Sequence, residues 1–483
     1  MGRTRIDGGT IIAYRDGAHH LLRDGVLVYE GNRIVHLGAT YEGPAERSID
    51  ARGKLVLPGF VSTHAHVNVH EGSRLLTDVG RRDVMRSGFL NYTPNNGVAG
   101  PPYVAAANAV DSARFGFAQL IRNGITTVMA FGGGAPDDGR TFASLAGESG
   151  IRVYYAPQAN SAVNWFTPEG QMREHWDEAR GIAELEAQEQ FLEAHHNAHG
   201  GRLQGIVVVR NYALATVDLM RRGKAIADRM ELPFTTHFCE QLFEFHRTVR
   251  DHGITPVQLM EREGLLGPKV ILAHALYLAG HSYTTWTYSD DLEILGRTGA
   301  AVSHSPVVML RRGHALEGFD KYLAQGVTMS MGTDVMPHDI IGEMRAGAMA
   351  CKLIARNHEV GTSMDFYNAA TLGGAKAFGR EDIGRLAVGA KADILLMDFD
   401  NLQIGPVYDP IRSLVHLASP DLIETVICDG VTLMADGVLC GYDERAVVEG
   451  GKRSFQRVLD RFPQMHWSQR PVEEEYPLGI APW

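Results

Sequence analysis

The chain has 483 residues, of which 45% are hydrophobic and 21% are charged, and its formal net charge is −11. This composition is typical of a folded protein and excludes a disordered, collagen-like or coiled-coil chain. Because phosphate binding relies on clustered Lys and Arg, the acidic balance argues against nucleic acid as the main partner and favours a small-molecule substrate.

The cysteines and the N-terminus predict the compartment. The four cysteines are widely spaced and form no CxxC pair, so neither a disulfide framework nor a thiolate zinc site is expected. The first residues lack the apolar stretch of a secretory signal, and no apolar run approaches the ~18 residues that cross a bilayer. We therefore expect a cytoplasmic protein without a membrane contact.

Both ends of the chain have the pattern of short strands. Apolar runs at 9–14, 25–29 and 33–37 are bounded by Gly, Asp or Asn, and similar runs return at 392–397 and 425–430. We expect one small β-sandwich domain assembled from residues 1–57 and 383–445. The polar residues 446–483 are expected to form a C-terminal tail.

Between these ends, residues 58–382 alternate strand-length apolar runs with longer helical stretches. That alternation predicts parallel strands joined by helices, and eight such strands close a (β/α)8 TIM barrel. The predicted strands are 57–62, 124–129, 152–156, 205–209, 233–236, 270–273, 300–303 and 328–331.

The strongest chemical signal is the pair His64 and His66, which directly follows the first of these runs. Two histidines two residues apart project from the same face of a strand, so both imidazoles can reach one metal ion. In barrels of this kind the chemistry lies at the carboxyl ends of the strands. His237, His274 and Asp334 follow three later runs at that same end. Each alone is consistent with a buried structural residue, but their joint position favours a metal site.

These segments resemble the amidohydrolase superfamily. The stretches PGFVSTHAHVN, TTHFCEQ, LAHAL, VSHSP and MGTDVMPHD occur in that order, and GRLAVGAKADILLMD is similar to the family's returning β-sandwich. Within the superfamily the chain is similar to the branch of cytosine deaminases and triazine hydrolases. The resemblance implies that the metal ligands are His64, His66, His237 and Asp334.

The resemblance also implies catalytic roles. Glu240 matches the HxxE of the branch's deaminases, in which the glutamate moves protons between water and substrate. His274 matches a residue that polarises the substrate or the attacking water, and Asp334 is placed to accept the proton of that water. His304 matches a further residue whose role varies within the branch.

A single divalent metal ion is expected. Two-metal relatives carry a carbamylated Lys at the end of strand four, whereas the corresponding run here, 205–211, has no Lys and carries Arg210. A guanidinium stays cationic and would repel a second divalent ion. Nitrogen and oxygen donors of this kind suit zinc or iron, and zinc is favoured.

Two enzymatic functions remain open at this point. Glu240 in its HxxE favours an aminohydrolase that removes ammonia, an amine or a halide from an electron-poor N-heterocycle. Arg210, and the absence of a Ser-Asn pair after VSHSP, favour an amidase-type hydrolase of an acyclic amide, urea or carbamate, of the molinate and phenylurea hydrolase kind. A non-catalytic, metal-stabilised assembly protein is disfavoured because the ligand set is intact.

The loop from 68 to 94 is too long for a simple connection and is expected to cover the barrel mouth. Its Phe89, together with Trp165 after strand three and Arg210, is a candidate substrate-binding residue. The apolar side chains predict a neutral, partly hydrophobic substrate. The loop's arginines are as consistent with contacts in a homo-oligomer as with substrate binding; they are Arg74, Arg81, Arg82 and Arg86.

Overall fold

The computed structural model of the chain describes residues 2–68, 73–76, 109–131, 139–167, 169, 171–286, 288, 290–466 and 468–483. The strands of this part of the chain are β1 (Arg3–Arg15), β2 (Ala18–Glu30), β3 (Arg33–Gly38), β4 (Arg47–Asp50), β5 (Lys54–Pro58), β6 (Phe60–His66), β7 (Ile125–Phe131), β8 (Arg152–Tyr154), β9 (Ala162–Phe166), β10 (Met172–Trp176), β11 (Leu203–Gln204), β12 (Val207–Asn211), β13 (Phe234–Phe238), β14 (Val270–His274), β15 (Ala301–His304), β16 (Thr328–Met331), β17 (Ile394–Asp398), β18 (Ile423–Cys428), β19 (Val431–Ala435) and β20 (Val438–Leu439).

The helices follow the strands of the central region and also close the chain. They are α1 (Ala109–Arg122), α2 (Arg140–Ser149), α3 (Glu178–His195), α4 (Ala198–Gly201), α5 (Val217–Arg229), α6 (Leu242–His252), α7 (Pro256–Arg262), α8 (Asp291–Thr298), α9 (Pro306–Leu310), α10 (Phe319–Ala324), α11 (Ile340–Ala355), α12 (Ser363–Asn368), α13 (Gly374–Ala377), α14 (Pro410–His416), α15 (Glu444–Met465) and α16 (Val472–Glu475). Short 3₁₀ turns lie at Arg74–Leu76, Tyr212–Leu214 and Pro420–Leu422, and Ala369–Gly373 forms a π-helical turn.

A parallel sheet forms the barrel, in the order β11-β8-β7-β6-β16-β15-β14-β13-β12. The fourth barrel strand consists of two pieces, because β11 pairs with β8 on one side while β12 pairs with β13 on the other. The backbone of Ala159 bonds to Val208 and Arg210, which joins the chain after β8 to β12. The sheet therefore closes on itself, and the predicted (β/α)8 barrel is confirmed.

The first barrel strand differs in extent from the predicted run 57–62. The chain divides at Gly59: β5 pairs with β17 in the outer sheet, and β6 begins the barrel at Phe60. A side chain at Gly59 could not fit, since an added Cβ would lie 2.0 Å from the hydroxyl of Thr126. The continuous apolar run conceals this division because both halves are buried.

A second, mixed sheet is built from both ends of the chain, as predicted. Its order is β20-β19-β18-β17-β5-β1-β2-β3, with β4 paired to β1. Here β5 joins the two ends, because it pairs parallel with β1 and antiparallel with β17. Strands β1 and β2 extend beyond the predicted apolar runs, because their polar ends still pair with each other out to Arg15 and Ala18. The domain bounds at 57, 382 and 445 stay predictions.

The C-terminal segment, predicted only as a polar tail, contains the helix α15. Asp443 caps its first turn by accepting hydrogen bonds from the backbone N–H groups of Arg445 and Ala446. The helix packs against α1 and buries Val458 and Phe462. Polar residues thus cover only its outer side. None of the helices in the described part of the chain has both the length and the apolar sequence needed to cross a bilayer.

Candidate metal centre and active site

The predicted metal ligands and His274 lie together at the carboxyl ends of the barrel strands β6, β13, β14 and β16. We call these residues the His/Asp cluster: His64, His66, His237, His274 and Asp334. His66 is partly exposed, and the other four side chains are buried. Strand periodicity explains the first pair, because residues two apart on β6 share one face.

The donor atoms of the cluster converge. Asp334 Oδ1 lies 3.5 Å from His64 Nε2 and 3.4 Å from His66 Nε2. His274 Nε2 lies 3.9 Å from Asp334 Oδ2, and the Nε2 atoms of His66 and His237 are 3.1 Å apart. In each of the sets His64–His237–His274 and His64–His66–Asp334, one donor atom per residue lies within 4.8 Å of the others.

Several of these donors lack a protein partner. Both ring nitrogens of His64 and of His274 are buried without a hydrogen bond to any described residue. Leaving a buried polar group unpaired costs about 1–3 kcal/mol, so packing alone does not account for the cluster. Converging imidazole nitrogens beside one carboxylate form a donor set that fits a divalent cation.

The protonation states suit metal binding. Burial lowers the pKa of His237 to about 3 and holds the pKa values of His66 and His274 well below the usual range. These rings are therefore neutral near pH 7, which ligation requires. His237 Nδ1 lies 2.6 Å from the carbonyl oxygen of Arg210 and donates to it, so its Nε2 presents a lone pair to the cluster.

Asp334 is ionised in the same surroundings. Burial acts to raise the pKa of this carboxyl, but the contact with His64 and the nearby rings of His274 and His66 outweigh that effect, and the pKa lies well below the usual range. The carboxylate anion beside these imidazoles completes a set of the kind that binds a divalent ion.

The backbone holds strand one and the segment after strand eight in register. His66 N–H donates to the carbonyl of Asp334 at 2.6 Å, and Asp334 N–H donates to the carbonyl of His64 at 3.0 Å. Gly332 makes this approach feasible, because an added Cβ there would lie 2.7 Å from the Cβ of His64. The two loops are thus fixed to each other independently of any ligand.

Glu240 lies near the cluster and is buried by its surroundings. Burial raises its pKa, and the charges of Asp334 and His64 also act on this carboxyl. Its Oε1 accepts a hydrogen bond from Arg312 Nη1 at 3.2 Å. The turn that carries it is held by Glu244, whose two carboxyl oxygens accept from the backbone N–H groups of Cys239 and Gln241, both at 3.0 Å.

The predicted substrate-binding residues have different positions. Arg210 is the penultimate residue of β12, and its charge acts, after burial, to lower the pKa values of His66 and His237. Trp165 is partly buried on the hairpin β9–β10, where it pairs with Arg173. Phe89, Arg81, Arg82 and Arg86 lie outside the described residues. Arg74 is exposed and lies over the ring of Phe115 at 5.9 Å.

His304 lies at the end of β15, and its ring is surrounded by apolar side chains. It lies 5.8 Å from the ring of Phe319 and lines a small cavity with Leu310 and Leu316. Burial lowers its pKa to about 3. Its predicted catalytic role stays a prediction.

Two residues near the cluster were missed by the sequence analysis. The ring of Phe131 lies 4.8 Å from His64 and 4.5 Å from His237, and so forms an apolar wall at the end of β7. Its position at the end of an apolar strand run could have identified it as a residue of the barrel mouth. Glu244 could also have been found, because Gln241 and Glu244 have the spacing of a helix capping box.

Comparison with known proteins agrees with this architecture. The chain is 27% identical over 439 residues to the 5'-deoxyadenosine deaminase of Methanothermobacter thermautotrophicus, which covers 89% of this chain and 93% of that protein. A triazine hydrolase variant superposes with a TM-score of 0.78 at 22% identity, over 94% of this chain and all of that one. An adenosine deaminase from Xanthomonas campestris with bound zinc superposes with a TM-score of 0.77 at 19% identity, over 94% of this chain and 98% of that one.

The family assignment rests on a match that spans most of the chain. Residues 55–433 match the amidohydrolase family, a range that includes every strand of the barrel and the whole His/Asp cluster. The predicted resemblance and enzyme class are both confirmed. The chain belongs to the amidohydrolase family and is a hydrolase of carbon–nitrogen bonds other than peptide bonds.

Proposed function

We propose that this protein uses a metal-activated water to release ammonia or an amine from a small N-heterocyclic substrate. The observation that carries the proposal is the His/Asp cluster, whose donor atoms converge and in which the ring nitrogens of His64 and His274 have no hydrogen-bond partner among the described residues. The deaminase names of similar chains support the same reaction type.

In this proposal one divalent ion is held by His64, His66, His237 and Asp334, with zinc favoured over iron. When bound, such an ion acts as a Lewis acid and lowers the pKa of water toward ~7. Arg210 supports a single ion, because its cationic side chain lies near the end of the strand from which two-metal relatives supply a carbamylated lysine.

The chain's own groups supply the proton transfers. Asp334 is ionised and accepts a proton from the attacking water, and Glu240 carries a proton to the leaving nitrogen. The raised pKa of Glu240 suits this task, because it brings the carboxyl closer to the pH at which the reaction runs. His274 stabilises the negative charge that develops on the substrate in the transition state. His304 is kept as a further candidate.

An acyclic amide, urea or carbamate is the alternative substrate class. Arg210 and the sequence after His304 favour it, because the segment that follows Pro306 is Val-Val-Met-Leu-Arg-Arg rather than the Ser-Asn of the branch's deaminases. The apolar ring of Phe131 beside the cluster is compatible with either neutral substrate.

The test is ammonia and amine release by zinc-loaded protein over a panel of amino-heterocycles, aryl amides and arylureas. We expect turnover of at least one heterocycle, and Glu240→Gln should keep the metal while lowering kcat by about 10²–10⁴. Glu359→Gln, at an exposed position, is the matched control and should retain activity. Turnover confined to the amides or ureas would transfer the proposal to the alternative class.

A cytoplasmic location and a homo-oligomeric state belong to the same proposal. They stay predictions from the sequence.

A further inference from the structure

The guanidinium of Arg312 contacts the carboxylate of Glu240. Arg312 lies in the turn after β15 and α9, whereas Glu240 follows β13. Its Nη1 donates to Glu240 Oε1 at 3.2 Å, and the two side chains are only 18% and 11% exposed. The turn after α9 directs it there, since the backbone N–H groups of Arg312 and His314 both donate to the carbonyl of Met309. The neighbouring Arg311 is exposed and donates instead to the carbonyl of Met336.

This ion pair leaves hydrogen-bonding groups unused within the described residues. Glu240 uses Oε1 toward Arg312, and Arg312 uses Nη1 toward Glu240. The second carboxylate oxygen and the remaining guanidinium N–H groups have no described protein partner. An Arg presents up to five donors in a fixed plane, so the donors that Arg312 does not use toward Glu240 are available to a ligand.

The second carboxylate oxygen of Glu240 is a hydrogen-bond acceptor, and the remaining N–H groups of Arg312 beside it are donors. A substrate would match both with an N–H and a carbonyl on adjacent ring atoms. Planar paired bonds of this type, with one partner charged, give both strength and geometric specificity. An aminopurine that carries C–H in place of this carbonyl would leave the guanidinium donors unpaired, and its binding would be weaker.

We propose that Arg312 is a specificity residue. It selects substrates in which the ring nitrogen next to the reacting carbon is bonded on its other side to a carbonyl carbon. The substrate class is then a 2-amino-4-oxo-pyrimidine ring, alone or fused, with the N–H facing Glu240 and the C=O facing Arg312. This inference rests on the proposed deamination, and it narrows the heterocycles that the site accepts.

An aromatic group next to the pair is suited to a flat ring. Tyr277 is buried, and its hydroxyl donates to His314 Nδ1 at 2.7 Å. The charges of Glu240 and Arg312 both act on the pKa of this phenol, after burial, so the ring lies close to the pair. A planar substrate held at its edge by Arg312 and Glu240 would lie near this aromatic side chain.

The experiment compares substrates that differ only in the carbonyl. Zinc-loaded wild type, Arg312→Met, Arg312→Lys and Arg311→Met are assayed for ammonia release from guanine and 2-aminopurine, and from isocytosine and 2-aminopyrimidine. Ratios between protein variants cancel the intrinsic reactivity difference within each pair. Metal content and Tm confirm that each variant is folded.

We expect Arg312→Met to lower kcat/KM for the oxo compound about 10- to 100-fold more than for its matched partner. Arg312→Lys should recover part of this selectivity, because it restores charge but not the planar donors. Arg311→Met should keep the wild-type ratio. An equal loss on both members of a pair would overturn the inference and make Arg312 only a positioning residue for Glu240.

A binding measurement separates this inference from the proposed function. Calorimetric titration with the unreactive compounds uracil and pyrimidine, of which only uracil carries an N–H beside a carbonyl, needs no turnover. Tighter binding of uracil that is lost in Arg312→Met supports the carbonyl contact even if no heterocycle is deaminated. Equal affinity of the two compounds for wild type would overturn the inference even if deamination is observed.

Discussion

Two clusters of buried charge lie at opposite ends of the barrel, and they are built in opposite ways. At the amino ends of the strands, Arg152 is 1% exposed and donates to Asp393 at 2.5 Å, to Thr127 at 3.0 Å and to Asp429 at 3.4 Å. Lys391 also donates to Asp429, at 2.7 Å. At the carboxyl ends, the ring nitrogens of His64 and His274 in the His/Asp cluster have no hydrogen-bond partner in the part of the chain that the structure describes.

The difference separates a structural role from a chemical one. The Arg152 cluster joins the barrel to the terminal sheet, since Asp393 and Asp429 lie beside β17 and β18, and its charges satisfy one another. The His/Asp cluster instead has a donor set that fits a divalent cation. Stability at the amino face and function at the carboxyl face is the general division in such barrels.

The largest effect is expected from a substitution in the His/Asp cluster. Asp334→Asn keeps the shape of the side chain but removes the anion, so metal binding should be lost and kcat/KM should fall by at least about 10³-fold. The lowered pKa of Asp334 means that its ionised carboxylate stabilises the folded chain at neutral pH, so the metal-free variant should also be less stable than the metal-free wild type. Metal analysis, steady-state kinetics and urea unfolding check this, and retained metal binding with near-normal kcat/KM would contradict it.

The next largest effect is expected from a substitution in the Arg152 cluster. Asp393→Asn leaves Arg152 buried without its nearest countercharge, so the free energy of unfolding should fall by about 3–5 kcal/mol. Activity per folded, metal-loaded molecule should be unchanged. Asp228→Asn removes an exposed ion pair with Lys224 and serves as the control, with an expected loss below about 1 kcal/mol. A small effect at Asp393 would mean that the cluster is dispensable.

Strand ends explain how much of the site the sequence could predict. His64, His66, His237, His274 and Asp334 each follow a strand-length apolar run, and the closed barrel brings such positions together. Local periodicity is therefore enough to find the cluster. It is not enough to find contacts that depend on how a loop turns.

Arg312 is the clearest example of what was missed. The sequence shows two adjacent arginines, and only the turn anchored on Met309 sends Arg312 to Glu240 and Arg311 toward Met336. The division at Gly59 was hidden for a related reason, because a run buried in two sheets has the same composition as a run buried in one. Both errors concern tertiary contacts, to which residue patterns along the chain are insensitive.

Metal-linked stability gives a third and smaller effect. A ligand that binds only the folded protein stabilises it by about 2.7 kcal/mol when its free concentration is 100 times its Kd. Zinc should therefore raise the Tm of wild type, chelation should reverse the shift, and His66→Ala should abolish it. Asp393→Asn should start from a lower Tm and still show the full shift. Equal zinc stabilisation of His66→Ala would place the ion elsewhere.

The smallest effect concerns pH and tests His304. Burial lowers its pKa to about 3 in the folded chain, whereas an unfolded histidine titrates near 6.5. Between these values the unfolded state binds more protons, so this residue's contribution to stability is complete above about pH 6.5 and is lost as the pH falls toward 3. The slope from one proton is at most about 1.4 kcal/mol per pH unit.

His304→Gln should flatten the acid side of the stability curve by that amount, and the exposed His358→Gln should leave the curve unchanged. Urea unfolding between pH 4 and pH 8 measures the difference, and the kcat of metal-loaded His304→Gln at pH 7.5 decides the catalytic role. A loss of kcat with an unchanged acid slope would put the ring in the reaction rather than in the apolar cavity beside Phe319.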